Sequence, residues 1–343
     1  MSLLKRFDVT QVRFIDLFCG IGGFRAAAQS ALSRNGLDSR CVFSSDIDPK
    51  ARAVYSLNFG DEPFGDIKKM KGDDVPNHDL LLAGFPCQAF SICGAGRGFE
   101  DARGTLFFDI ARILEAKRPS AFVLENVKQL RGHDGGRTLT RILETLTALG
   151  YVVGWRVFNA LDFGLPQKRE RVFIVGFRGG WSGFEWPQGS APMKPLSEIL
   201  ESDVPKSYYA SGGIRLDRQE KGARKRKDGG PTIWHQNKSG NISVYPYSCA
   251  MRAGASHNYL LVDGKRRLTE REMLRLQGFP ESFTISCKYT VARRLMGNSL
   301  PVPVAEAVIS AMTPFFEGRA FTAGRKTQGS ARTRVKTRVA AGF

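Results

Sequence analysis

The sequence predicts an α/β protein, an open parallel sheet flanked by helices, interrupted by a small, loop-rich β region. Three observations carry this expectation. Short apolar runs alternate with helical periodicity through the first half of the chain, the signature of βα units. From about residue 179 to about residue 264, Gly, Pro, Ser, Lys and aromatics dominate, with only short strand-like pieces such as Ile242-Ser243-Val244-Tyr245. Regular structure then resumes.

Taken in order, Val12-Arg13-Phe14-Ile15-Asp16-Leu17 reads as a first strand, leading into the glycine turn Gly20-Ile21-Gly22-Gly23. Phe24, Ala27, Ala28, Ala31 and Leu32 repeat at helical spacing. Cys41-Val42-Phe43-Ser44 is a second strand, ending near Asp46 and Asp48, and Leu80-Leu81-Leu82-Ala83 a third. Leu106, Phe107, Ile110, Ile113 and Leu114 form an apolar stripe before the next strand, Ala121-Phe122-Val123-Leu124. Leu139, Ile142, Leu143, Leu146 and Leu149 form another, and residues 151–158 and 171–177 read as later strands. After the irregular region, Thr269-Glu270-Arg271-Glu272 is a capping-box pattern opening a short helix, and Ala305, Val308, Ile309 and Met312 mark a last helix able to return to the first domain. There is no internal repeat.

At 343 residues the chain can bury one large core, or one core plus a smaller domain. Its apolar runs are too short to cross a bilayer, and its first residues lack a signal-peptide core. Six scattered cysteines without a Cys-x-x-Cys spacing argue against a disulfide framework and a metal site, so a reduced, cytoplasmic setting is expected. Fifty-one Lys plus Arg against 33 Asp plus Glu give +18, which favours a polyanionic partner, because neutralising phosphates releases counterions. The basic residues cluster at Arg224-Lys225-Arg226-Lys227 and in the tail, residues 319–343, which carries seven basic residues, no acidic one and no apolar periodicity. The tail is expected to be disordered.

Cys87, in Gly84-Phe85-Pro86-Cys87-Gln88, is the most informative residue. It follows the third strand run, as Glu125-Asn126-Val127 closes the fourth, and two parallel strands ending this way place a thiol and an acid at one sheet edge. Open α/β sheets bind their ligands at that edge. Alone, a cysteine at a strand end is more often a small buried hydrophobe; Pro86, Gln88 and Glu125 reverse that expectation. The glycine turn has Arg25 where a dinucleotide-binding turn would place its third glycine. A cofactor without a pyrophosphate, such as S-adenosylmethionine, does not need that close approach. Asp46 is placed to accept from ribose hydroxyls and Asp66 from an adenine amino group, although for each a solvated loop carboxylate is the competing reading. Thiol, acid and cofactor turn together suggest methyl transfer to carbon 5 of cytosine. A thiolate adding at carbon 6 makes carbon 5 enamine-like, and an acid on N3 assists that addition.

Six segments strengthen this reading: Asp16-Leu17-Phe18-Cys19-Gly20-Ile21-Gly22-Gly23, Gly84-Phe85-Pro86-Cys87-Gln88-Ala89-Phe90-Ser91, Glu125-Asn126-Val127, Gln167-Lys168-Arg169-Glu170-Arg171, Arg275-Leu276-Gln277-Gly278-Phe279-Pro280 and Gly297-Asn298-Ser299. In content and order they resemble the bacterial DNA (cytosine-5)-methyltransferases of restriction–modification type. The resemblance runs from about Phe14 to about Val308 and leaves only the irregular region unmatched.

It implies a Rossmann-like, S-adenosylmethionine-dependent methyltransferase sheet over residues 11–186 plus 266–318, with a small β target-recognition domain at 187–265. Cys87 would be the nucleophile and Glu125 the group on N3, with Arg169 and Arg171 holding the flipped base, a neighbouring phosphate or Glu125. Phe18, Gly20, Gly22, Gly23, Asp46, Ile47, Asp66, Ile67, Pro86, Leu106, Asn298 and Ser299 would line the cofactor pocket. Ile47 replaces the aromatic residue the family often carries there, which weakens stacking on adenine. The glycine-rich stretch 91–104 would close over DNA. Tyr208, Tyr209, Trp234, Tyr245, Tyr247 and Tyr259, among basic and amide residues, suit phosphate anchoring and base readout, and equally suit a small core. The expected partner is double-stranded DNA, met by a bacterial monomer that shares its site with a cognate restriction endonuclease. An RNA-directed enzyme of the same fold would have a shorter recognition region. A catalytically silent DNA-binding relative would not need Cys87, Glu125 and Arg171 together.

Overall fold

The structure, a computed structural model, describes residues 11–86, 106–180, 183–225 and 229–317. Cys87, the stretch 91–104 and the basic tail lie outside the described residues.

A six-stranded sheet is built from β1 (Gln11–Leu17), β2 (Asp38–Ser45), β3 (Leu80–Gly84), β4 (Ala121–Val127), β5 (Tyr151–Asn159) and, after the two-residue strand β6 (Gln167–Lys168), β7 (Glu170–Arg178). Its order is β2-β1-β3-β4-β7-β5. Side chains alternate between two apolar layers with the period of two that a strand dictates. Phe14, Leu80, Leu82, Ala121, Val123, Phe173 and Val175 face one layer. Ile15, Leu17, Leu81, Ala83, Phe122, Leu124, Val172 and Ile174 face the other.

The first five strands are joined through four helices, which is why all five lie parallel. α1 (Gly23–Arg34) and α2 (Pro49–Phe59) cover the first layer, and α3 (Leu106–Lys117) and α4 (Arg137–Ala148) cover the second. The expected all-parallel sheet is corrected at one place: β7 runs antiparallel to both β4 and β5. Only residues 160–169 join β5 to β7, and a parallel crossover needs a dozen residues or more. That short connection forces the reversal.

In the irregular region lie α5 (Gly212–Gly222) and the short strands β8 (Ile233–Gln236), β9 (Ile242–Tyr245), β10 (Ser248–Cys249) and β11 (Leu260–Val262). β11, β8 and β9 form an antiparallel sheet, while β10 pairs in parallel with β6. The helix α5 is absent from the expected loop-rich β region. Its buried residues are Arg218 and Gly222, so it has no apolar stripe for periodicity to reveal. Ile233, Met251, Tyr259, Leu260 and Val262 join the same apolar cluster as the first sheet layer.

The chain then enters α6 (Glu270–Gln277), α7 (Tyr289–Asn298) and α8 (Val302–Ser310). The capping box opens α6 as expected, with the Thr269 hydroxyl on the Glu272 amide and the Glu272 carboxylate on the Thr269 amide. Val304, Ala305, Val308 and Ile309 of α8 pack beside the alanine-rich face of α1, closing the first layer with residues almost 300 positions downstream.

Candidate active site

A cleft of about 900 Å³ opens where β1, β2, β3 and β4 end. One side is made mostly of backbone. The turn after β1 passes through Phe18 at φ 54° and Gly20 at φ 54°, left-handed conformations that expose main-chain atoms. The Gly20 amide donates to Asp46 Oδ2 at 2.8 Å, and the Asp48 amide to Asp46 Oδ1 at 2.8 Å. One carboxylate therefore fixes both the glycine turn and the turn after β2. Burial raises the Asp46 pKa, although both amides oppose the shift. The segment leading to Asp66 runs beside the end of β2, with the Asp46 amide on the Phe64 carbonyl at 2.9 Å. It brings Asp66 and Ile67 into the same wall, and Ile47 stands there largely exposed.

Of the twelve expected cofactor residues, eleven line this cleft: Phe18, Gly20, Gly23, Asp46, Ile47, Asp66, Ile67, Pro86, Leu106, Asn298 and Ser299. Gly22 does not; it lies behind the wall at φ 93°, where an added Cβ would fall 2.2 Å from the Phe59 ring. Its role is to let the turn pack onto α2.

The other side is built from charged side chains. Antiparallel pairing sets Arg171 opposite Val127, one diagonal step from Glu125 on the same face. Arg171 Nε meets Glu125 Oε1 at 2.8 Å, and its Nη1 donates to the Glu170 carbonyl. Burial raises the Glu125 pKa above the usual carboxylate range, with Arg171 and then Arg169 opposing it. The buried carboxyl thus holds its proton more readily than a free one would, while Arg171 keeps the side chain in one place. Gly84, opposite Glu125 in the β3–β4 register, leaves space beside Glu125 Oε2.

Arg169 differs from expectation. It is 1 % exposed and does not line the cleft. Its guanidinium donates to the carbonyls of Met251 at 2.9 Å, Gly297 at 3.0 Å, and Ser299. Its position is behind the wall, acting on Glu125 only through charge.

Asn126 was visible in the Glu-Asn-Val segment without a role. Its Nδ2 donates to the Phe85 carbonyl at 2.8 Å and its Oδ1 accepts from the Val127 amide. The bond ties the end of β4 to the two residues that precede Cys87. Cys19 also lines the cleft, but burial, then Asp16 and Asp46, push its thiol well up, which disqualifies it as a thiolate.

This cleft and sheet define an S-adenosylmethionine-dependent methyltransferase fold. Two solved structures share it: a Dnmt2 methyltransferase of S. pombe, 21 % identical with a TM-score of 0.63, covering 89 % of this chain and 99 % of that one, and a DNMT2 variant of Spodoptera frugiperda, 19 % identical with a TM-score of 0.68, covering 88 % and 99 %. The sequence narrows the class. The model of the C-5 cytosine-specific DNA methylases matches residues 12–313, and the chain belongs to that family. It is a DNA (cytosine-5)-methyltransferase. It is similar to the Type II methyltransferase M.NgoBI of Neisseria gonorrhoeae, 53 % identical over 89 % of this chain and 94 % of the relative. It is also similar to the Type II methyltransferase M.HaeII of Haemophilus aegyptius, 51 % identical over 88 % and 93 %.

Proposed function

We propose that the protein methylates carbon 5 of a flipped-out cytosine within a short duplex sequence, through a covalent adduct on Cys87, as the modification partner of a restriction endonuclease. The relatives' Type II names support the last part. The observation that carries the chemistry is Glu125, buried, raised in pKa and pinned by Arg171 in the cleft that Phe85 and Pro86 also line, immediately before Cys87.

The cleft fits S-adenosylmethionine. Its volume suits a nucleoside-sized molecule beside a base, its walls are largely apolar, and the glycine turn offers backbone without a third glycine for a pyrophosphate. Asp46 and Asp66 would hold the ribose and adenine, Phe18 and Leu106 would flank them, and Asn298 and Ser299 would close the far side. The bound cofactor supplies an electrophilic methyl carbon. The chain's residues prepare the base to meet it. The Cys87 sulfur forms a bond to carbon 6, the ring electrons move toward N3, and Glu125 delivers its proton there. Arg171 keeps the carboxyl aimed. Once carbon 5 has been methylated and has given its proton to water, the electrons left at carbon 5 expel the Cys87 sulfur from carbon 6 and Glu125 takes back the N3 proton.

A base stacked in a duplex cannot enter such a cleft, so flipping is required. Residues 187–265, which contain none of the six matching segments, would read the target sequence, and the monomer would suffice. Duplex carrying 5-fluorocytosine at the target should trap a covalent complex, because the fluorine blocks the elimination that frees the enzyme. Cys87→Ser should abolish both trapping and turnover while cofactor binding persists. Equal trapping by Cys87→Ser would assign the nucleophile elsewhere.

A further inference from the structure

The segment from Gln167 to Arg171 touches three parts of the molecule that the reaction must coordinate. At its start, β6 pairs with β10 in the irregular region, with the Ser248 amide on the Pro166 carbonyl at 2.8 Å. Gln167, wholly buried, accepts from the Met251 amide at 3.1 Å and donates to the Leu276 carbonyl at 2.8 Å. At its end, Arg171 holds Glu125. Between them, the Arg169 guanidinium joins Met251 on one side to Gly297 and Ser299 on the other.

Gly297 and Ser299 are cleft wall. Gln277, also wholly buried, braces them by donating to the Met296 carbonyl at 2.7 Å. The contact with the irregular region is backbone on backbone: a Cβ at Gly297 would lie 2.3 Å from the Ala253 nitrogen. The three atoms nearest that Cβ are all main-chain atoms of Arg252 and Ala253, so a displacement of residues 251–253 would press directly on the cleft wall. Arg169 buries a full charge against carbonyl oxygens. Burying a cation is costly for stability, and a neutral side chain could fill the same space. What the guanidinium adds is a planar fork able to hold several acceptors in fixed relation, which Lys cannot reproduce.

We propose that Arg169, with Gln167, is a positioning residue that couples target-sequence binding at residues 248–253 to cofactor binding at residues 297–299. The inference rests on the reading above, in which the cleft takes S-adenosylmethionine and the irregular region takes DNA. A cognate duplex sets residues 251–253, Arg169 carries that setting to the wall, and the cofactor binds more tightly; by linkage the cofactor tightens cognate DNA by the same factor.

The test measures S-adenosylhomocysteine affinity without DNA, with a cognate duplex and with a scrambled duplex. In the unaltered protein the cognate duplex should tighten binding roughly tenfold or more, within the usual range of coupling. Arg169→Lys should still bind the ligand alone, but its coupling factor should fall to near one. Retention of the factor in Arg169→Lys would overturn the proposal. A merely structural role would weaken binding with and without DNA alike and leave the ratio unchanged. Hydrogen exchange in the unaltered protein covers the case in which the variant does not fold. S-adenosylhomocysteine alone should slow exchange at residues 248–253, which do not line the cleft. Protection confined to the cleft would refute the coupling. Absence of any binding would instead refute the cofactor reading.

Discussion

The two sides of the cleft are built by different means. The side made by β1, β2 and the segment at Asp66 is a backbone surface, set by left-handed turns and by Asp46 accepting two amides. The side made by β4 and β7 is a side-chain surface, set by the buried Glu125–Arg171 pair. A backbone surface tolerates changes of side chain but not of conformation. An ion pair tolerates neither loss of charge nor loss of aim. The backbone side should therefore fail through shape and the acid side through chemistry.

Glu125→Gln should break the acid side most severely. An amide keeps the shape but supplies no proton, and losing a general acid costs about 10²–10⁴-fold in rate. Single-turnover methylation at saturating DNA and cofactor, set against equilibrium DNA affinity, measures this. Because burial raises the Glu125 pKa, the rate should decline on the alkaline side above the usual carboxylate range, and Glu125→Gln should lack that limb. A near-normal rate in Glu125→Gln would remove the acid from the mechanism.

Asn126→Ala leaves the acid in place and tests aim alone. It strips the Phe85 carbonyl of its donor, freeing the segment ahead of Cys87. Misplacing reacting groups by about an ångström costs up to about 10²-fold, so the turnover rate should fall while cofactor affinity holds. A loss confined to cofactor affinity would place Asn126 on the other side of the cleft.

On the backbone side, Gly22→Ala should weaken cofactor binding and stability without altering the proton chemistry. The methyl meets the Phe59 ring at a left-handed φ, and such overpacking costs roughly 1–3 kcal/mol. Calorimetry and a denaturation midpoint would show both losses, and an unchanged midpoint would mean the turn has slack. A further test, of stability alone, concerns Asp16, beneath this wall. Burial pushes its carboxyl up to about 8 from an ordinary 3.8, with Arg25 opposing in part. Between those values the folded protein binds more protons than the unfolded chain, so stability should fall as pH rises from about 4 to about 8. Asp16→Asn should flatten that slope. An unchanged slope would assign it to other groups.

The sequence alone determined the six strands of the large sheet and most helices, because apolar residues recur at the spacing that burial against a sheet imposes. Phe24, Ala27, Ala28, Ala31 and Leu32 needed no structure to be placed on one face. It also determined the family, and eleven of the twelve residues expected to hold a cofactor stand in the cleft wall, since each sits at a strand end or in a short motif. Tertiary structure decided what depends on residues distant in sequence. The reversal of β7 follows from a ten-residue connection, and that reversal delivers Arg171 to Glu125. The helix α5 formed without an apolar stripe, so only its packing identifies it. Arg169 and Arg171, two residues apart, share a motif and a charge, yet one faces the cleft and the other reaches Met251 and Gly297. Motif spacing fixes which residues travel together along the chain. Which acceptor each guanidinium meets is set by strands, helices and loops folded in from far away, and no local pattern encodes it.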